Sequence, residues 1–216
     1  MTKMQRVVSY LISLSLCSTS LVAQSPPPFD TTLVGQWPYS AMHTLFEKTI
    51  FKVDVLTLDV RFGPEPARRL EALVAGRRYS STLADSIAAV AVDARDAWAR
   101  LRFERNVSLA RFLDGVRKNL KRALQAGIID ADSYDHISGD LPVWYQFLAA
   151  DGIHDGDEMF YRIRGDTLHT VYRAATGEVL LDQIDIGPER RLSVLGGYFA
   201  PKSDFRKGLI KSLFEN

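Results

Sequence analysis

The chain has 216 residues, of which 46% are hydrophobic, 10% aromatic and 25% charged. That is ordinary globular composition, and it excludes a disordered tail, a collagen and a disulfide scaffold. A formal net charge of +1 lacks the basic excess of a dedicated nucleic-acid binder. A chain this long can bury roughly two thirds of its unfolded surface, so it can fold without a metal or a disulfide.

Residues 1–23 read as a secretory leader. Lys3 and Arg6 make a positive start. Val7 to Leu16 is mostly apolar, broken by Ser9, Ser13 and Ser15, and Ser18-Thr19-Ser20 leads to Ala23. The apolar stretch falls short of the about 20 residues of a membrane-crossing helix. Cleavage after Ala23 is therefore expected over retention as an anchor, although Leu21 is large for its place. The single cysteine, Cys17, follows Leu16, which is bulkier than the residue before a lipidated cysteine. Losing the leader lowers the basic count from 27 to 25 against 26 acids, so the mature chain stands at −1 and has no thiol. The expected location is periplasmic or secreted. No second run of spanning length follows, so no stable membrane insertion of the mature chain is expected.

Ser25-Pro26-Pro27-Pro28 reads as an extended segment. Residues 24–41 make a Pro-rich linker and lead-in, and 42–216 a single domain. Ile50 to Phe62 alternates as a strand, with a shift of period near Val55 that predicts a bulge. Gly63-Pro64-Glu65-Pro66 ends it, and Ala67 to Val74 can form a short helix. Thr82 starts the next helix, whose Leu83, Ile87, Val90 and Ala91 share a face. Asp96 to Glu104 reads as a strand. Ser108 caps a helix that carries Phe112, Val116 and Leu120 and stops at Gly127. Asp130 to Leu148 suggests shorter helical pieces broken at Gly139 and Pro142. Three strands follow, Met159–Ile163, Leu168–Tyr172 and Val179–Ile186, with turn signals at Gly165-Asp166 and Thr176-Gly177. Ser203 caps a last helix carrying Phe205, Leu209, Ile210 and Leu213. Strands at both ends with helices between them predict an α+β domain, its sheet mainly antiparallel.

Several stretches, taken in order, resemble the chalcone isomerase-like family in its bacterial exported branch. They are the strand Phe51 to Leu58, the strand-to-helix junction Phe103-Glu104-Arg105-Asn106-Val107-Ser108, Gly156-Asp157, the hairpin Thr176-Gly177-Glu178-Val179, and Tyr198 to Leu213. The resemblance spans roughly residues 42–214. It implies an open-faced β-sandwich, a large antiparallel sheet with a helical layer on one face and a ligand cleft between them. Some members close a flavanone ring; others bind fatty acids without chemistry. The active members' polar positions depart here. The strand threonine falls on Asp54, the helix tyrosine on Phe112, and the late hydroxyl near Val194. The early arginine has no clear match, with Lys48 and Lys52 the nearest cations. Flavonoid chemistry is not expected from such a set, and a fold alone does not imply it.

Other chemistry finds little support. His43, His136, His154 and His169 are scattered, so no metal is expected. Asp151 to Glu158 lacks the carboxylate spacing of a calcium loop and reads as a solvated turn. No nucleophile elbow, phosphate loop or dinucleotide fingerprint is present, and no cofactor is expected. Arg117, Lys118, Lys121 and Arg122 form a basic helix face, either solvated or facing an anionic partner. The candidate ligand-binding residues are Lys48, Lys52, Asp54, Arg102, Arg105 and Phe112, with Trp144, Tyr145 and Tyr198 as pocket lining or plain core. Charges on apolar strands are either exposed or paired inside. The leading expectation is non-catalytic binding of a small amphipathic, fatty-acid-like ligand in the cleft. One alternative is a divergent intramolecular lyase or isomerase with Asp54 as base. Another is an envelope interaction protein without a small ligand, which predicts a collapsed cleft.

Overall fold

The computed structural model describes the backbone of residues 41–48 and 53–215, and the side chains of residues 41–46 and 55–215. The leader and linker readings on residues 1–40 lie outside the described residues. The domain is an α+β open sheet. Its strands are β1 (Ala41–Lys48), β2 (Val53–Phe62), β3 (Asp96–Phe103), β4 (Glu158–Arg164), β5 (Thr167–Arg173) and β6 (Val179–Ile186). They pair antiparallel in chain order. Helices α1 (Pro64–Val74) and α2 (Ser81–Asp93) join β2 to β3. Helices α3 (Leu109–Gln125) and α4 (Ala131–Trp144) join β3 to β4. After β6 come α5 (Pro188–Phe199) and α6 (Arg206–Ser212).

Alternation along each strand sorts the two faces of the sheet. Leu58, Val60 and Phe62 of β2, Ala97, Ala99 and Phe103 of β3, and Met159 and Ile163 of β4 are all buried. They form one core with Leu70, Ile87, Ala91, Leu120, Ile137, Leu195 and Phe199 of the helices. Each large side chain buried this way contributes about 1.5–3 kcal/mol. The opposite face carries charges. His43 Nδ1 lies 2.7 Å from Asp59, and Arg100 meets the same carboxylate at 2.7 Å and 3.1 Å. Arg100 also approaches Glu158 at 3.9 Å, and Glu158 pairs with Arg173, whose guanidinium lies over Phe160. One chain of alternating charge thus crosses β1 to β5. Burial works to raise the Asp59 pKa, but the hydrogen bonds from His43 and Arg100 outweigh it and hold the carboxyl below its usual value.

The helices start and stop for local reasons. Ser80 Oγ, two residues before the expected start at Thr82, accepts from Leu83 N–H and caps α2. Ser108 caps α3 as expected, accepting from Arg111 N–H, and Gly127 with φ 69° follows its end. Helix α4 runs unbroken through Gly139 and Pro142, against the expected break. Pro142 sits in the last turn with an exposed neighbour, Val143, so the lost hydrogen bond falls on the solvent side. The bulge near Val55 is present: Phe46 pairs with Leu56 and Glu47 with Asp54, leaving Val55 unmatched on β1.

Three elements differ from the sequence reading. Strand β1 was not expected, because Met42, Leu45 and Phe46 do not alternate cleanly. Helix α5 was not expected either. Its first turns hold Glu189, Arg190 and Arg191, which mask its apolar side. Arg191 is buried and donates to Val92 O at 2.9 Å, satisfying the C-terminal end of α2. Ser203 is not a cap: its hydroxyl donates to Gly197 O, and α6 begins at Arg206 without a side-chain cap. The loop around Gly156 is solvated only in part: Asp151, His154 and Asp155 are exposed, and Asp157 is not. Asp157 is buried and accepts from Tyr172 Oη at 2.6 Å and from the N–H groups of His154 and Ala175 at 2.8 Å each. The basic face of α3 is partly internal: Lys118 and Arg122 both reach Asp204.

Helix α5 crosses α3 through Gly196. A Cβ placed there would stand 2.9 Å from Ile128 Cγ2 and 3.0 Å from Ala123 Cβ. Gly196→Val should therefore lower unfolding free energy by about 1–3 kcal/mol, read as an earlier urea midpoint. An unchanged midpoint would mean that the two helices do not meet this closely.

Candidate functional site

Between the apolar face of the sheet and the helices lies a cavity of about 640 Å³. That is the size of a small-molecule site, well above the voids of a packed core. Its floor is the sheet from β1 to β6, with Phe46, Leu56, Leu101, Phe103, Tyr161, Thr170 and Gln183. Its walls are α3 with Phe112 and Leu120, α4 with Leu141 and Trp144, and α5 with Val194 and Tyr198.

The lining is apolar with polar groups at three levels. Antiparallel register sets the levels. Phe103 ends β3, so Arg105, Asn106 and Arg111 stand at one end of the strands. Asp185 pairs with Leu168 and Ile163 with Ala97, so Asp185 and the following Arg190 stand at the other end. The two ends are about 20 Å apart along the strands. About two thirds of the way from the first end lie Tyr161, Thr170 and Gln183, side by side across three strands.

At the first end, Arg105 is half-buried and has no ion-pair partner among the described residues. Arg111, on the first turn of α3, is exposed and likewise without an acidic partner among them. At the other end, Arg190 lies 4.6 Å over Trp144 and within 3.6 Å of Asp140. In the middle, Tyr161 Oη donates to Met159 Sδ at 2.8 Å, and Tyr145 Oη lies 3.5 Å from it. An edge-to-face stack positions Tyr145: Phe112 stands 5.0 Å from it and 6.0 Å from Phe103.

Burial raises the pKa of Tyr145, Tyr161 and Tyr198, each aided by neighbouring phenols or acids. These phenols stay neutral, and Tyr161 and Tyr145 each donate toward Met159 Sδ. They are not bases at ordinary pH.

The candidates from the sequence fall in different places. Arg105 and Phe112 line the cavity. Arg102 does not: it sits between the inward Leu101 and Phe103, points to the charged face, and pairs with Glu104 at 3.9 Å. Two residues along a strand change faces at every step, so only the register separates Arg102 from its neighbours. Lys48 and Asp54 lie on the backbone of β1 and β2, but their side chains are outside the described residues, as is Lys52 altogether. Trp144, Tyr145 and Tyr198 line the cavity. Tyr161, Thr170 and Gln183 were missed. Their common signal is a polar residue at the inward position of an otherwise apolar strand, visible only when the strands are aligned. Among the described residues no group of three or more His, Cys, Asp or Glu is placed to hold a metal ion. Among them no helix is long and apolar enough to cross a membrane. No family model matches the chain, and no curated protein matches it.

The buried phenols make stability fall at high pH. Their folded pKa is raised, so the stabilisation is complete below the unfolded value of about 10 and is lost as pH rises through the folded value. Tyr161→Phe should flatten the fall in urea midpoint between about pH 10 and 12. A fall of the same steepness in the variant would place the Tyr161 phenol in water.

Proposed function

We propose that the protein binds a small anionic amphipathic ligand, of the fatty-acid kind, in the cavity between sheet and helices. The observation that carries this reading is the 640 Å³ apolar space with Arg105 at its end, half-buried and without an acidic partner among the described residues. A guanidinium in that position costs desolvation energy that nothing described offsets, and a carboxylate would supply the missing partner. Arg111 beside the same end adds a second donor set. The apolar walls then bury the chain, at about 0.8 kcal/mol per methylene.

The open space weighs against an interaction protein with a filled interior. An open antiparallel sheet with its helices on one face is what the chalcone isomerase-like resemblance implies, and we hold membership of that family as part of the proposal. Export is part of it as well, on the strength of the leader read in residues 1–23.

Purified without detergent, the protein should release a long-chain carboxylate into organic solvent, identified by mass spectrometry. Titration with palmitate should saturate at one equivalent, and Arg105→Glu should weaken it about tenfold or more. No extracted lipid together with no saturable binding would end this reading. Export has its own measurement. N-terminal sequencing of the protein recovered outside the cytoplasm should begin at Gln24; an intact Met1 on cytoplasmic protein would overturn it.

A further inference from the structure

We propose that the middle of the cavity selects a ligand with an oxygen function part-way along its aliphatic chain, a hydroxyl or a carbonyl, held by the hydroxyls of Tyr161, Tyr145 and Thr170. The inference rests on the ligand reading above and narrows the class of ligand.

The first observation is the register. Val60, Ala99, Tyr161, Thr170 and Gln183 form one row across β2 to β6. On β2 and β3 the row is apolar and buried. On β4 to β6 it turns polar in three adjacent strands, and all three polar residues line the cavity. Ala99 is four residues from Phe103, so the row lies about 13 Å along the strands from the end that bears Arg105. An acid with its carboxylate at Arg105 brings its middle to this row.

The second observation is the quality of the partners. Tyr161 Oη donates to a thioether sulfur, Met159 Sδ, which is a weak acceptor. Tyr145, itself buried, reaches only that sulfur at 3.7 Å and Tyr161 Oη at 3.5 Å. Thr170 is 6% exposed, and its hydroxyl has no hydrogen-bond partner among the described residues. Leaving hydroxyls this poorly satisfied inside an apolar space is costly, and Phe or Val would pack there without that cost.

The chemistry follows from the donor set. The phenols remain protonated because burial disfavours the phenolate. Each can turn its O–H from sulfur to a ligand oxygen, exchanging a weak acceptor for a strong one. Thr170 can donate or accept, so a ligand hydroxyl can serve in both senses. A methylene chain offers none of this and leaves the hydroxyls as they are.

The test is displacement of a bound fluorescent fatty acid, parinarate, by stearate and by a hydroxystearate with its hydroxyl at mid-chain. The wild-type protein should prefer the hydroxystearate by about tenfold. The double substitution Tyr161→Phe with Thr170→Val should bring the two acids within about twofold of each other. Equal affinity of the two acids for the wild-type protein would overturn the inference while leaving the ligand reading intact. A preference that survives the double substitution would also overturn it. If parinarate does not bind at all, both readings fall. The wild-type comparison needs no variant, and Tyr145→Phe alone gives a second substitution should the double variant not fold.

Discussion

The structure depends on one constraint: the sheet can take a helical layer on only one of its faces. The outer face carries the chain of charge from His43 through Asp59, Arg100 and Glu158 to Arg173, with Trp98, Phe160 and Val171 buried on the same side. A sheet of this kind cannot be sandwiched between two layers, because stacking on the charged face would desolvate Asp59, Arg100, Glu158 and Arg173 together. All helical mass therefore falls on one side. The helices arrive from three separate connections, between β2 and β3, between β3 and β4, and after β6. They must share that face, and α5 reaches its place only because Gly196 lets it approach Ala123 and Ile128.

The cavity follows from the same crowding. Helix α5 packs against α2 and α3 and approaches β5. Between α5 and the sheet the space above Tyr161, Thr170 and Gln183 stays open, walled by Val194 and Tyr198. A polar row on an inward face would be a defect under a tightly packed helix, since each hydroxyl would be stripped of water without a strong partner. Beneath a cavity it is a different object, a set of donors facing an open volume. The same residues that lower the packing quality of this part of the core define its chemistry. Asp157 shows the contrast. It is buried, but Tyr172 and two backbone N–H groups satisfy it, and it ties the ends of β4 and β5 together.

Much of the fold was legible because period and punctuation act locally. The alternation of β3 to β6, the turn at Gly165, the cap at Ser108 and the stop at Gly127 are each decided within a few residues. The bulge at Val55 was legible as a slip in the period. What resisted reading was decided at long range. Helix α5 hides behind Arg191, a charged residue buried because it satisfies the carbonyl end of α2 nearly a hundred residues earlier. Pro142 looks like a break until Val143 is seen to face solvent. Ser203 looks like a cap until its hydroxyl is found on Gly197 O.

The candidate site divides along the same line. From the order of elements in the sequence came an α+β domain with a mainly antiparallel sheet, the resemblance implied a helical layer on one face, and Arg105 and Phe112 stood out as residues to watch. The elements themselves are properties of single segments. Whether Arg102 or Arg105 meets the cavity, and whether Tyr161, Thr170 and Gln183 stand side by side, was decided only by strand register. Register joins residues from β4, β5 and β6 through backbone hydrogen bonds that no local pattern encodes. A shift of one residue would turn each of them to the other face. The sequence supplied the polar side chains, and the pairing of the strands gathered them at one level of one cavity.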